Sequence, residues 1–156
     1  VKLEDIPTAI AIEPNGKYVY LSTEKNSLAA YKMNVRDGML KMQGKPVRTG
    51  DDPVSIVVDP SGKYIYVTNR GSDLVSVYEV DTNTGQIKKK TADVKVGKDP
   101  NNIVIESSGK FAYVVNEGSD NVMVFGINEQ NGELKLVEKV NAGTKPVAMV
   151  FTSEVH

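Results

Sequence analysis

The sequence lacks the residues on which several kinds of chemistry depend. It has no cysteine, and its one histidine is the final residue, His156. Disulfides, thiolate catalysis, a His/Cys zinc site and a histidine-based catalytic triad within one chain are therefore excluded. Because no disulfide reports the redox compartment, the localisation stays open, with the cytoplasm favoured and the periplasm as the alternative.

Long apolar runs and an excess of one charge are also missing. No stretch approaches the roughly 20 apolar residues of a membrane span, and the formal net charge is −1. We therefore expect no nucleic acid and no membrane as a partner. The N-terminus, VKLEDIPTAI, has neither the basic start nor the apolar block of a signal peptide, and it lacks an initiator Met. We expect the chain to be a fragment or a processed form.

What the sequence does contain is a repeat. Its 156 residues, 40% hydrophobic and 25% charged, suit one folded domain. Pro7, Pro53, Pro100 and Pro146 are separated by 46, 47 and 46 residues, and each opens a short apolar run. A glycine-lysine turn follows the first three prolines, in NGKYVYLS, SGKYIYVT and SGKFAYVV. The same unit is thus repeated three times, over about 5–50, 51–97 and 98–143.

Each unit predicts four short β-strands. Segments rich in Val, Ile and Tyr alternate with turns of Gly, Asn, Asp and Ser, and no segment has a helical period. In KYIYVTN both alternating faces are apolar, so the sheet must be covered on both sides. Four antiparallel strands, this repeat length and two covered faces describe the blades of a β-propeller. We predict an all-β fold of three blades, an incomplete β-propeller.

Three blades do not close a ring, because propellers have about four to eight. Residues 144–156, which end in KPVAMVFTSEVH, supply a closing strand that would begin a further blade. The stack would leave an apolar face open at each end, and such faces need a cover. We expect either a homo-oligomer or a missing N-terminal half of the same protein to provide it.

Other polar motifs have structural explanations. The lysines at 88–90 fall on the outermost strand of the second repeat, where lysines block edge pairing more often than they bind nucleic acid. The segment DTNTG, Asp81 to Gly85, starts like a calcium loop, but its glycine is misplaced and the bidentate Glu is missing, so a hairpin turn is the better interpretation. Asp73 and Asp120 are expected to bind nearby backbone amides. We predict neither a metal nor a cofactor.

The repeat resembles a known family over nearly the whole chain. DPVSIVVDPSGKYIYVTNRGSDLVSVYEVDTNTGQI and NVMVFGINEQNGELKLV are similar to the lactonase-like seven-bladed β-propellers, the family of bacterial 6-phosphogluconolactonase and fungal carboxymuconate lactonizing enzyme. The three units resemble the last three blades of that family, and AGTKPVAMVF resembles its natural C-terminus. The YVTN motif also occurs in the YVTN-repeat propellers, which the chain resembles as well.

The resemblance also implies candidate site residues. After the second strand of these blades the family has an Asn-Glu pair, then NRG, then an Asn-rich loop, and here STEKNSL, TNRGSDL and VNEGSDN stand in those places. Arg70 matches the family's arginine, and Glu24 matches the glutamate by its place. Thr23 replaces the usual Asn, and Ser72 replaces the frequent His. Glu24 and Arg70 are the catalytic residues that the resemblance implies.

The implied activity is hydrolysis of a sugar lactone such as 6-phosphogluconolactone in the complete ring. This reaction needs a cation for the phosphate and a base that activates water. Arg70 would bind the phosphate, and Glu24 would act on the water. Alternatively, both residues form solvated ion pairs on the rim of the propeller that the loops after the second strands share. The alternative functions are a non-catalytic YVTN-type binding propeller and a self-assembling structural half propeller, so enzymatic activity of this chain alone stays open.

Overall fold

Three antiparallel sheets make up the described part of the protein, which is residues 5–151 of a computed structural model. Their thirteen strands, in chain order, are β1 (Pro7–Ile12), β2 (Tyr18–Thr23), β3 (Ser27–Met33), β4 (Leu40–Arg48), β5 (Pro53–Val58), β6 (Tyr64–Asn69), β7 (Leu74–Val80), β8 (Ile87–Lys89), β9 (Val94–Lys95), β10 (Pro100–Ile105), β11 (Phe111–Asn116), β12 (Asn121–Ile127) and β13 (Leu134–Asn141). The first sheet contains β1–β4, the second β5–β9 and the third β10–β13.

Within each sheet the strands lie side by side in chain order. Every strand pair is antiparallel, and β8 and β9 both pair with β7. Two short 3-10 turns, Arg70–Ser72 and Glu117–Ser119, are the helical segments of residues 5–151. None of the helical segments described reaches the length and hydrophobicity of a membrane span. The predicted all-β fold of propeller blades is confirmed.

The second strand of the second sheet, β6, serves two cores at once. β6 is buried at all six positions, because its side chains alternate between the two faces of the second sheet. Ile65 and Val67 pack in a cluster with the first sheet, whereas Tyr64 and Tyr66 pack in a cluster with the third sheet. The prediction that both faces of KYIYVTN are covered is therefore confirmed.

Tyrosine hydroxyl groups tie neighbouring sheets together at the edges of these clusters. Tyr18 donates to the carbonyl of Asn83 at 2.7 Å, which joins the first sheet to the second. Tyr78 donates to the carbonyl of Arg48 at 2.8 Å, and burial raises the pKa of Tyr78 to about 12, so this hydroxyl keeps its proton. Each bond satisfies a phenol that would otherwise be buried without a partner.

A carboxylate organises the turn between the first and second strand of each sheet. The backbone N–H of Lys17 donates to Glu13 Oε1 at 2.8 Å, that of Tyr64 to Asp59 Oδ1 at 2.7 Å, and that of Lys110 to Glu106 Oε1 at 2.9 Å. The turn closes with a glycine at a φ of +70°, +73° or +75° in the three sheets, a region that favours glycine. These turns are structural repeats.

The fourth strand of the second sheet is broken, unlike β4 and β13. The strand is interrupted at residues 90–93, between β8 and β9, where Lys89 pairs with Asp93 and Lys90 pairs with Glu79 at 3.1 Å. The lysine segment thus lies on the outer strand, as predicted, and two of its ammonium groups are held in ion pairs with neighbouring carboxylates.

The two ends of the stack differ. On the first sheet Ile10 and Ile12 point away from the second sheet and are 60% and 56% exposed. At the other end, residues 144–151 lie against the third sheet, where Tyr113 meets Phe151 edge to face at 4.9 Å between ring centroids. Residues 144–151 form no strand ladder with the described residues, and the rest of the predicted closing strand lies outside them.

The hydroxyl groups of two equivalent tyrosines predict opposite effects of removal. Tyr66 donates to the carbonyl of Gly132 at 2.9 Å, whereas the buried hydroxyl of Tyr20 has no partner among residues 5–151. We expect Tyr66→Phe to lower the free energy of unfolding by about 1 kcal/mol. Tyr20→Phe, its matched control, should leave the free energy of unfolding unchanged or raise it, because a buried unsatisfied group is removed. Urea denaturation checks both, and equal losses would contradict this account.

The turn carboxylate of the third sheet predicts a pH dependence. The hydroxyl of Ser108, with backbone N–H groups of the turn, lowers the pKa of Glu106 from 4.5 to about 2. The stabilisation from Glu106 is therefore present above pH 4.5 and is lost as the pH falls from 4.5 towards 2. We expect Glu106→Gln to flatten this part of the curve of melting temperature against pH. A wild-type curve and a Glu106→Gln curve with the same slope there would refute the assignment.

Candidate functional site

Two kinds of loop meet on one rim of the stack. One kind follows the second strand of each sheet and contains residues 24–26, 70–73 and 117–120. The other kind contains residues 49–52 and 96–99, which lead into the first strands of the second and third sheets, and residues 142–145, which follow the last strand of the third sheet. The carboxylate turns lie on the opposite rim, because successive connections of an antiparallel sheet alternate between its ends. Both predicted site residues lie on the first rim.

A repeated contact, which we call the junction bond, joins the two kinds of loop. In each bond, a side-chain oxygen in the loop after a second strand accepts a hydrogen bond from a backbone N–H in a loop of the other kind. The three bonds run from Asp52 to Asn26 Oδ1 (3.0 Å), from Asp99 to Asp73 Oδ1 (2.9 Å) and from Lys145 to Asp120 Oδ1 (2.8 Å). Asp73 and Asp120 therefore do bind backbone amides, but those amides lie 26 and 25 residues away and not within the same turn.

All six residues of the junction bonds have a left-handed backbone. Their φ angles lie between 51° and 57°, and no other non-glycine residue among 5–151 has a positive φ. This conformation costs most side chains about 1–2 kcal/mol, and Asn and Asp tolerate it best. Five of the six positions are Asn or Asp and the sixth is Lys145, so this part of the rim is shaped by the contact between sheets.

Arg70 is held by the loop that leads into its own sheet. Its Nε donates to Asp52 Oδ2 at 2.8 Å, and its backbone N–H donates to the carbonyl of Asp52 at 2.8 Å. The two side chains are 45% and 44% exposed, so the ion pair contributes little to stability. The two Nη groups make no hydrogen bond to another described residue. They remain free to bind an anion bidentately.

Glu24 occupies the place in the first sheet that Arg70 occupies in the second. Its backbone N–H donates to the carbonyl of Ile6 at 3.0 Å, and its side chain is exposed. No hydrogen bond or ion pair of the described residues engages its carboxylate. The structure thus places Glu24 and Arg70 in adjacent loops of the same rim without direct contact. Arg70 therefore forms an ion pair on the rim, as the alternative interpretation expected, whereas Glu24 forms none with the described residues.

The residue that stands where the family often has His makes a structural bond. Ser72 Oγ accepts from the backbone N–H of Asp51 at 3.2 Å, and in the next loop Ser119 Oγ accepts from the N–H of Lys98 at 2.7 Å. Both hydroxyl groups tie the loop after a second strand to the loop that leads into the same sheet. Ser72 therefore takes part in the framework of the rim.

Two buried asparagines, which the sequence motifs did not single out, anchor the rim from below. Asn69 and Asn116 end their second strands and are fully buried. Asn69 Nδ2 donates to Ser76 Oγ at 3.0 Å, and Asn116 Oδ1 accepts from the N–H of Gly97 at 3.1 Å. The signal was present, because an asparagine and a glycine each recur 47 residues apart at Asn69, Asn116, Gly50 and Gly97.

A cavity of about 250 Å³ lies beside the Glu24 loop, on the side of the first sheet away from the second. Its polar lining includes Asp5, Thr23, Lys25 and Ser27, and its apolar lining includes Tyr31. Among residues 5–151 no three carboxylate or imidazole side chains come close enough to hold a metal ion.

Stacked four-stranded blades with polar loops on one rim define a β-propeller protein. The family model for lactonase, the 7-bladed β-propeller, matches residues 2–100 and again residues 55–151. The chain belongs to this lactonase family of β-propellers. A comparison with curated protein sequences found no match.

Solved structures of β-propellers superpose well on the chain. A candidate 6-phosphogluconolactonase from Bacteroides uniformis has a TM-score of 0.85 and 26% identity over 95% of this chain and 44% of its own. One from Bacteroides fragilis has a TM-score of 0.82 and 27% identity over 90% and 40%. The periplasmic gluconolactonase of Pseudomonas aeruginosa, at 22% identity over 94% and 42% with a TM-score of 0.80, shows the shared fold alone. The chain spans less than half the length of each.

The buried asparagines predict which glycines on the rim are essential. A Cβ at Gly97 would lie 2.7 Å from two atoms of the Asn116 side chain, whereas a Cβ at the equivalent Gly143 would meet no described atom within 4 Å. We expect Gly97→Ala to lower the free energy of unfolding by about 1–3 kcal/mol. Gly143→Ala should be neutral or slightly stabilising. Thermal denaturation of both variants checks this, and a neutral Gly97→Ala would show that Asn116 can move.

Proposed function

We propose that this chain contributes three blades and part of the active rim to a lactonase-type β-propeller that hydrolyses a sugar lactone, most specifically a phosphorylated one such as 6-phosphogluconolactone. Family membership supports the lactonase class. The two Bacteroides structures, candidate 6-phosphogluconolactonases, support the substrate class. Because the chain spans 40% and 44% of those proteins, the activity is proposed for the assembled ring.

The proposal depends on how the guanidinium group of Arg70 is held: one side is bonded and the other is open. Asp52 holds its Nε at 2.8 Å and thereby orients the guanidinium, while both Nη groups stay open on the rim. A bidentate contact to a phosphate or carboxylate uses such a pair of parallel N–H donors. The cost of ordering the side chain is reduced before the ligand arrives, because the Asp52 contact already restricts it.

Glu24 supports the proposal as the base. Hydrolysis of a lactone requires a water that is deprotonated as it attacks the ring carbonyl, and a carboxylate can accept that proton. The carbonyl oxygen gains negative charge at the same moment, so nearby donors or cations lower the barrier. Glu24 has a free carboxylate, and Lys25 follows it directly on the rim. In this proposal Arg70 binds the phosphate and Glu24 activates the water.

The test compares a phosphorylated with a neutral lactone. We expect Glu24→Gln to lower kcat on both substrates by about 100-fold or more, because proton transfer is lost. Arg70→Ala should raise KM about tenfold or more for 6-phosphogluconolactone and much less for gluconolactone, because only the former carries the phosphate. Arg36→Ala, in an exposed turn on the opposite rim, is the matched control and should leave both constants unchanged.

The measurement is the rate of lactone opening above the spontaneous rate, recorded with pH-stat titration. If the assembled protein shows no rate above the spontaneous one, the enzymatic function is excluded. That result would favour the alternative function, a non-catalytic binding propeller. Equal effects of Arg70→Ala on the two lactones would exclude the phosphate-binding role of Arg70 while leaving lactone hydrolysis intact.

A further inference from the structure

A groove lies between the first and second sheets on the rim of the carboxylate turns. We call it the first groove; its volume is about 280 Å³, and its polar lining includes Glu13, Lys17, Tyr20, Lys63 and Thr82. A second groove, also of about 280 Å³, lies at the equivalent place between the second and third sheets. The repeat therefore provides an internal comparison, because differences between the two grooves are not required by the blade architecture.

A tyrosine hydroxyl group at the first groove has no acceptor. Tyr20 is fully buried, its side chain packs in the cluster between the first two sheets, and its hydroxyl has no partner among residues 5–151. Burial and then the charge of Glu13 raise the pKa of Tyr20, so the hydroxyl keeps its proton close to the Glu13 turn that lines the groove. Tyr66, 46 residues later, instead donates to the carbonyl of Gly132 at 2.9 Å.

Two lysines line the first groove without a carboxylate partner. Lys17 and Lys63 come from equivalent turns of neighbouring sheets, and neither ammonium group forms an ion pair with the described residues. The carboxylate that lines the groove, Glu13, is engaged in its own turn: Oε1 accepts from the N–H of Lys17 at 2.8 Å, and Oε2 accepts from the N–H of Asn15 at 3.2 Å. The charged lining residues thus leave an excess of one positive charge.

The second groove has the opposite charge. Its charged lining residues are Asp59, Lys63 and Glu129, which leave an excess of one negative charge. Glu129 stands 47 residues after Thr82, so a carboxylate replaces a hydroxyl group at this place. An open tyrosine hydroxyl, a second lysine and a threonine hydroxyl therefore coincide in the first groove, whereas the second groove lacks all three.

We propose that the first groove binds a phosphate group, either free or on a small phosphate ester. Lys17 and Lys63 neutralise its charge, and the hydroxyl groups of Tyr20 and Thr82 donate to its oxygens. All four groups act as donors, and an ionised phosphate offers several strong acceptor oxygens and nearly two negative charges. Binding also gives an acceptor to a buried donor that folding leaves open, because Tyr20 has no other partner.

The inference does not depend on the proposed lactonase activity, because both walls of the first groove belong to this chain and lie on the rim opposite the candidate site. The probes are glycerol 2-phosphate, inorganic phosphate and acetate, titrated at constant ionic strength above about pH 7, where a phosphate is a dianion. Backbone amide chemical shifts are the measurement. We expect saturable shifts with both phosphates at Lys17, Lys63 and Thr82, and much smaller shifts at Lys110 and Glu129. Acetate should bind at least about tenfold more weakly.

Matched variants separate this site from general attraction to a basic surface. Tyr20→Phe and Lys17→Gln should each weaken the binding of glycerol 2-phosphate about tenfold, because each removes a donor to a charged group. Tyr66→Phe and Lys110→Gln, at equivalent places outside the first groove, should leave the affinity unchanged. Thr82→Glu, which introduces the carboxylate of the second groove, should abolish saturable binding. Lys17 and Thr82 are exposed, so their replacement should leave the fold intact.

Three results would overturn the proposal: shifts that rise without saturation, equal losses of affinity in Lys17→Gln and Lys110→Gln, and acetate binding as tight as phosphate binding. A Tyr20→Phe variant that is folded and retains full affinity would do so as well. The two phosphate probes distinguish the sources of the group. Tighter binding of glycerol 2-phosphate would identify a phosphate ester as the ligand, whereas inorganic phosphate binding at least as tightly would identify free phosphate, and either result supports the phosphate site.

Discussion

A four-stranded sheet with two apolar faces cannot be stable by itself in water, so each sheet of this protein depends on its contact with the next one. The contact has two parts. Side chains of β2, β6 and β11 fill the space between the sheets. The junction bonds at the rim fix the position of each sheet along its neighbour. The apolar cluster supplies most of the stabilisation, because it removes large side chains such as Tyr66 and Phe125 from water. The junction bonds supply the register.

This division explains the composition of the candidate site. Several polar side chains of the rim hold the loops. Asp73 and Asp120 accept from the backbone N–H groups of Asp99 and Lys145, Asn116 accepts from that of Gly97, and Ser72 accepts from that of Asp51. Arg70 and Glu24 are different, since one has open donors and the other has an open carboxylate. A framework whose loops are held by such bonds can present a few open groups to a ligand in fixed positions.

Several features could be predicted from the sequence because they depend on local pattern and on repetition. The strands, the turns and the blade architecture follow from alternation within KYIYVTN and from the spacing of the prolines, and the structure confirms them. The positions of Arg70 and Glu24 on one rim follow from strand alternation alone. The partner of Arg70 did not follow, because Asp52 reaches it only after β5 and β6 have paired over a separation of 18 residues.

The sequence alone determined that the protein is built of repeated four-stranded sheets, because hydrophobic alternation and turn residues act within a few positions of the chain. It also determined which loops share a rim. Only the tertiary structure decided that six left-handed residues serve the contact between sheets, that Asn69 and Asn116 are buried anchors, and that residues 142–149 dock as a further first strand. The physical reason is that these contacts, apart from the bond of Asn69 to Ser76, join groups 19 to 47 residues apart. Their energy depends on how neighbouring sheets are placed, which no local pattern in the chain records.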